Sequence, residues 1–144
     1  MATDADRRRY RFLWRAHKAV WRASGGRLMN RMAGMPVLEL TTIGRVSGEP
    51  RSVLLTYVEA GDGYAVIASN AGHPSPPQWY LNLQADPAGR VRVGGRKVTV
   101  TARHAAGPER DALWSLAVEA HPGYEGYAAA AGRVIPVVVL EPRP

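Results

Sequence analysis

The chain has 144 residues, 46% of them hydrophobic, with no cysteine and a formal net charge of +7. That length suits one domain with a real core, and the lack of cysteine excludes disulfides, thiolate metal sites and a cysteine nucleophile. The charge is uneven: residues 1–35 hold nine basic groups against two acidic, whereas residues 36–144 hold ten of each, so the basic character belongs to an N-terminal segment.

Thr3, with Asp4 and Asp6 behind it, is a fair helix start, and Gly25-Gly26 a fair stop. Between them Tyr10, Leu13, Trp14, His17 and Trp21 recur at helical steps, and Arg8, Arg11, Arg15, Lys18 and Arg22 form a separate stripe. This predicts a basic amphipathic helix over residues 3–24. Two roles suit it: attachment to an anionic membrane surface, each basic residue contributing about 1 kcal/mol, or packing on the rest of the fold with a solvated arginine face. No zinc-finger or helix-turn-helix pattern accompanies the stripe, which argues against nucleic acid. No apolar run reaches the roughly 18 residues of a spanning helix, and the arginine-rich start lacks the apolar core of a secretory signal. The expected location is therefore the cytoplasm, extending to the inner face of the membrane if the helix docks there.

A short helical piece is expected at residues 28–33, ending at Gly34, after which Pro36 releases the chain into the first strand. Residues 1–35 thus read as helix and connector, and residues 36–144 as the main body. The organising stretch is Leu38 to Val58, two β-rich runs joined by Gly44-Arg45-Val46-Ser47-Gly48-Glu49-Pro50-Arg51. Two glycines permit positive φ, the turn can point several N–H groups one way, and two arginines bracket a serine hydroxyl. Such a turn can cradle a phosphate or carboxylate, or be an ordinary hairpin loop with solvated arginines.

Gly61-Asp62-Gly63 signals a tight turn before a strand at Tyr64–Ser69. Residues 70–77 read as loop, and a proline-initiated helix covers Gln78–Gln84. Arg90–Val93 and Lys97–Thr101 form a further hairpin, with Val91, Val93, Val98 and Val100 facing inward. Pro108 opens a helix that His121-Pro122-Gly123 stops, and Tyr124–Ala131 is a second short one. Val134–Leu140 is a last strand, apolar enough to be buried on both faces, with Pro136 at an edge or bulge. Six or seven largely antiparallel strands with flanking helices make a mainly β, α+β chain whose natural closure is a small barrel.

His17, His73, His104 and His121 show no metal-ligand spacing, and there is no nucleophile elbow, P-loop or dinucleotide fingerprint. An anion cradle with aromatics but no acid–base pair points to chemistry carried by a bound cofactor. The run G-R-x-S-G-x-x-R at Gly44–Arg51, A-S-N-A-G at Ala68–Gly72, P-x-W-Y-L-N-L at Pro77–Leu83, T-A-R at Thr101–Arg103, P-x-Y-x-x-Y at Pro122–Tyr127 and I-P-V-V-V at Ile135–Val139 resembles the deazaflavin-dependent nitroreductase family of actinobacteria, over roughly residues 36–142.

The resemblance implies a split β-barrel that binds coenzyme F-420, a deazaflavin with a phospholactyl-oligoglutamate tail. It implies hydride transfer from the reduced coenzyme to quinones, nitroaromatics or activated alkenes. It assigns Arg45, Val46, Ser47 and Arg51 to the phosphate and tail, and Ser69, Asn70, Ala71 and Gly72 to the loop beside the ring. Pro77 and Trp79 fall at the helix start that supports the cofactor, Trp79 equally able to be core packing. Tyr124 and Tyr127 match tyrosines that line the acceptor pocket. Val46 and Asn70 stand where lysines are common, and His121 where a further pocket tyrosine often lies, which puts a titratable group beside the acceptor. Two other readings fit the same barrel: a flavin mononucleotide oxidoreductase and a non-catalytic deazaflavin carrier. Split barrels often dimerise, which leaves a homodimer open, and the sequence is silent on the oligomeric state.

Overall fold

The computed structural model describes residues 31–32 and 35–143; the helix expected over residues 3–24 lies outside them. The strands are β1 (Arg31–Met32), β2 (Met35–Ile43), β3 (Pro50–Thr56), β4 (Val58–Ala60), β5 (Gly63–Ile67), β6 (Ala88–Val93), β7 (Arg96–His104) and β8 (Val137–Pro142). The helices are α1 (Gln78–Ala85), α2 (Gly107–Ala120) and α3 (Gly123–Ala131), with a 3-10 turn at Asn70–Gly72.

Every pairing is antiparallel. β2 takes β3 along one edge and β6 along the other, and the ladder continues β6-β7-β8-β5-β4. Its two end strands, β3 and β4, are separated only by Tyr57, whose N–H donates to the Pro36 carbonyl. One bent stretch of chain therefore belongs to both ends of the sheet, and the sheet has to curl round on itself as a split barrel does. The short β1 corrects the helical piece expected at residues 28–33 at its two described positions, where Arg31 and Met32 pair with Pro36 and Met35; the rest of that piece lies outside the described residues. The residue before a proline is confined to extended backbone, so Met35 already runs as strand and offers an edge.

Two cores flank the sheet. Leu38 and Leu40 of β2, Tyr64 and Val66 of β5, Val91, Val100, and Val138 and Leu140 of β8 fill the interior together with Trp79, Tyr80 and Leu83 of α1. The alternate residues Ala65, Ile67, Val137 and Val139 lie under Leu113 and Ala117 of α2 and Tyr124 of α3. β5 and β8 are thus buried on both faces, which is why their sequences do not alternate. The β6-β7 hairpin turns on Gly94 and Gly95, both at positive φ, as a two-residue turn of this hand requires. Pro136 is corrected from edge or bulge to the residue just outside β8; lacking an N–H, it contributes only its carbonyl, which accepts the Ala68 N–H.

The α2 N-terminus is clasped from the sheet. Arg103 of β7 forms a bidentate pair with Glu109, at 2.6 and 2.8 Å, and a further bond to Glu141 of β8. Arg103 holds the Glu109 carboxyl below its ordinary range.

Candidate functional site

The pairing of Thr42 with Arg51 and of Leu40 with Val53 puts Arg51 and Val53 on the face of β3 that looks inward, because directly opposed residues share a face. Arg45 enters from the other end of the same turn. Its main-chain N–H and Nη1 both donate to Asn82 Oδ1, at 3.2 and 2.9 Å, and Nη2 donates to Gln78 Oε1 at 2.9 Å. Asn82 Nδ2 in turn donates to Thr42 Oγ1 at 3.1 Å. Both ends of that last bond are buried, Thr42 at 1% and Asn82 at 5% exposure, as a polar link inside a core must be.

The turn differs from the expected backbone cradle in two respects. Only Gly48 has positive φ; Gly44 is needed for space, because a Cβ there would lie 2.6 Å from Ser47 Oγ. The N–H groups of Gly44, Arg45, Gly48 and Glu49 are taken by Glu49 O, Asn82 Oδ1, Gly44 O and Ser47 Oγ. What the turn offers a ligand is two guanidinium groups, a serine hydroxyl and the N–H groups of Val46 and Ser47, which are not among those taken.

These side chains open onto a cavity of about 700 Å³ between the turn, the start of β3, the loop at residues 70–77 and α1. Its lining includes Arg45, Val46, Ser47, Arg51, Asn70, Pro77 and Trp79, all sequence-predicted, and adds Thr42, Gln78 and Asn82. Among the described residues no carboxylate lines it. Two positive charges in such a concave, partly apolar space favour an anionic ligand with a flat or apolar portion. Trp79 is 7% exposed and joins the interior core, so it is packing and cavity wall at once.

Ser69, Ala71 and Gly72 do not line the cavity. Ser69 is buried, and Gly72 sits against α3, where a Cβ would meet Ala130 Cβ at 3.2 Å and Tyr127 Cα at 3.3 Å. The loop is held by Arg133, which sequence reading missed. Its Nη2 donates to the carbonyls of Ala68, Ser69 and Ser75 at 3.1–3.4 Å and its Nε to that of His73 at 3.4 Å. No sequence signal marks an arginine aimed at main-chain carbonyls; Asn82 and Gln78, one helical turn apart and facing the turn, were in principle findable from their spacing.

Tyr124, Tyr127 and His121 do not line the cavity either. They form an aromatic group on α3 and its N-terminal approach. Ring centroids lie 5.0 Å apart for His121 and Tyr124, 6.0 Å for His121 and Tyr127, and 6.1 Å for Tyr124 and Tyr127. Tyr124 is buried, its hydroxyl 2.7 Å from Thr56 Oγ1. Burial pushes the Tyr124 phenol up, with the Thr56 bond opposing, and burial also pushes up Tyr127. The same loss of solvent pushes His121 below its ordinary 6.5, so near neutral pH the imidazole is uncharged and both phenols keep their protons.

The model of the F420H(2)-dependent quinone reductase family matches residues 13–142. Over 135 residues, 91% of this chain and 91% of the relative, the chain is 38% identical to an F420H(2)-dependent quinone reductase of Mycobacterium tuberculosis. It is 33% identical over 109 residues, 76% of this chain and 92% of the relative, to a second protein of that organism described as a putative enzyme of the same kind. Among solved structures it is similar to an F420-H2 dependent reductase, FDR-A, with a TM-score of 0.67 and 42% identity over 74% of this chain and 94% of that one. A chain described as a domain-swapped dimer gives 0.70 and 37% over 88% and 96%.

The uncharged state of His121 has a consequence for stability. A group whose folded value lies below its unfolded one stabilises fully above the unfolded value and loses that contribution as pH falls through the folded one. The urea midpoint should therefore drop between about pH 7 and about pH 5, and His121→Phe should drop less than the parent. Equal drops in the two proteins would show that His121 titrates as freely in the fold as out of it.

Proposed function

The chain belongs to the F420H(2)-dependent quinone reductase family, and on that premise we propose that it reduces an electron-poor small molecule, a quinone by class, with reduced coenzyme F-420 as hydride donor. The observation that carries this reading is the pair of arginines converging on one cavity whose described lining holds no carboxylate. A phosphate-bearing, carboxylate-rich tail suits Arg45, Ser47 and Arg51, and about 700 Å³ with Pro77 and Trp79 in the wall suits a ring system.

When bound, the coenzyme supplies the hydride; the chain's residues place it and manage the proton. The turn holds the charged portion at the mouth, and the loop at residues 70–77 with α1 walls off the rest from water. An acceptor that has taken a hydride carries new negative charge and needs a proton. Tyr124 is committed to Thr56 and His121 is kept uncharged. That leaves Tyr127, half-buried beside the loop, as the donor, with His121 orienting rather than protonating.

The finer part of the reading concerns where the reaction happens. Residues 3–24 carry the arginine stripe and tryptophans of a membrane-surface segment, and a lipophilic quinone would be met there, on the inner face of the membrane. Self-association of the kind named for the domain-swapped relative belongs to the same reading, and light scattering reads it directly.

Equilibrium titration should show coenzyme F-420 binding, and Arg45→Ala with Arg51→Ala should weaken it by about 3 kcal/mol or more; flavin mononucleotide bound in its place would overturn the assignment. Tyr127→Phe should lower kcat for quinone reduction by about a hundredfold with little change in coenzyme affinity, and full turnover would move the proton to another group. Co-sedimentation with anionic vesicles should be lost when residues 1–27 are deleted; vesicle binding that survives the deletion counts against contact through that segment.

A further inference from the structure

We infer that Gln78 and Asn82 are positioning residues that fix Arg45 as the principal anchor for the anionic part of the cofactor while leaving its charge unspent. The inference rests on the cofactor reading above and deepens it.

Gln78 and Asn82 stand four apart on α1 and so share one face. The orientation of the Asn82 amide is set from both sides: its oxygen takes two N–H donors from Arg45, and its nitrogen gives to the Thr42 hydroxyl. Turning it over would point NH2 at two donors inside a buried site. The turn is thus tied to the sheet through one carboxamide, and Arg45 is held at its main chain and its guanidinium together. Gln78 adds a second acceptor at the other terminal nitrogen.

Both acceptors are neutral. A guanidinium held by two amide oxygens keeps its unit charge, whereas one held by carboxylates loses most of its field, and among the described residues Arg45 has no carboxylate partner. Arg51 is the contrast. Its Nη2 lies 3.8 Å from Glu49 Oε2, with the two side chains 61% and 72% exposed, so part of its charge is answered and its rotamers are still free. An anion reaching Arg45 meets a cation already in place; one reaching Arg51 has to order the side chain first.

The test is the affinity for coenzyme F-420, measured by titration at low and raised ionic strength. Arg45→Met should weaken binding more than Arg51→Met and should flatten the salt dependence more. Asn82→Ala should weaken it about tenfold, and Gln78→Leu by less because that bond is exposed; Gln78, on the surface, also covers the case in which the Asn82 variant fails to fold. In an Arg45→Met background the Gln78→Leu loss should vanish and the Asn82→Ala loss should shrink to the part carried by the main-chain bond at residue 45. A Gln78→Leu loss that persists there, an Asn82→Ala loss that is undiminished, or a larger effect from Arg51→Met, would overturn the inference while leaving the cofactor assignment standing. No binding by the unaltered protein would overturn both.

Discussion

Strands β5 and β8 are apolar on both faces, and an antiparallel pair of that kind can exist only with a core on each side. The inner core holds Trp79, Tyr80 and Leu83, and with them the position of α1. The outer core holds Leu113, Ala117 and Tyr124, and with them α2 and α3. Helix α1 on one side, and α2 with α3 on the other, are therefore placed by opposite faces of one strand pair. The pair tolerates little change at its closest approach, where a Cβ on Gly63 would run into the Leu140 carbonyl.

Helix α1 leads in turn to the cavity. A helix packed by Trp79 and Leu83 presents Gln78 and Asn82 to the turn, and Asn82 reaches back to Thr42 on β2. Helix, sheet and turn thus meet at a buried amide whose hydrogen bonds are all made within the protein. Such a group specifies one arrangement, because any shift of the turn leaves a buried donor or acceptor unpaired. Positive charge at the cavity mouth is in this way a product of packing as much as of composition. The body from residue 36 onward carries equal numbers of acidic and basic groups, and yet the described lining is cationic.

Much of this was legible in the sequence. The hairpin around residues 44–51, the Gly94-Gly95 turn, the proline-led helices and the doubly buried last strand are local features, and local patterns of glycine, proline and apolar spacing report them. The family resemblance supplied the cofactor and the barrel. The loss of the Arg45 amide from the turn's free N–H groups was not legible, because its acceptor is Asn82, 37 residues further along. Arg31 and Met32 were misread because strand pairing there depends on an edge that only the fold creates. The aromatic group of α3 lies outside the lining of the arginine-walled cavity, and no spacing rule measures that separation.

The segment between these two regions is the least ordinary backbone among the described residues. Asn70 and Ala71 have φ of 48° and 52°, a left-handed conformation that costs a non-glycine residue about 1 kcal/mol or more. That cost has to be offset, and the means is visible: Arg133, which follows the α3 C-cap, bonds four carbonyls of the loop, and Gly72 lets the loop press on Tyr127 and Ala130. One end of this short stretch faces the cavity at Asn70 and the other is seated on the helix that carries Tyr127. A misplacement of about 1 Å can cost a reaction about a hundredfold, and on the proposed reading, with the coenzyme on one side of this stretch and Tyr127 on the other, a stiff spacer between them is required. A strained loop pinned at several carbonyls is stiffer than a relaxed one, because its alternatives lie outside the bonds that hold it.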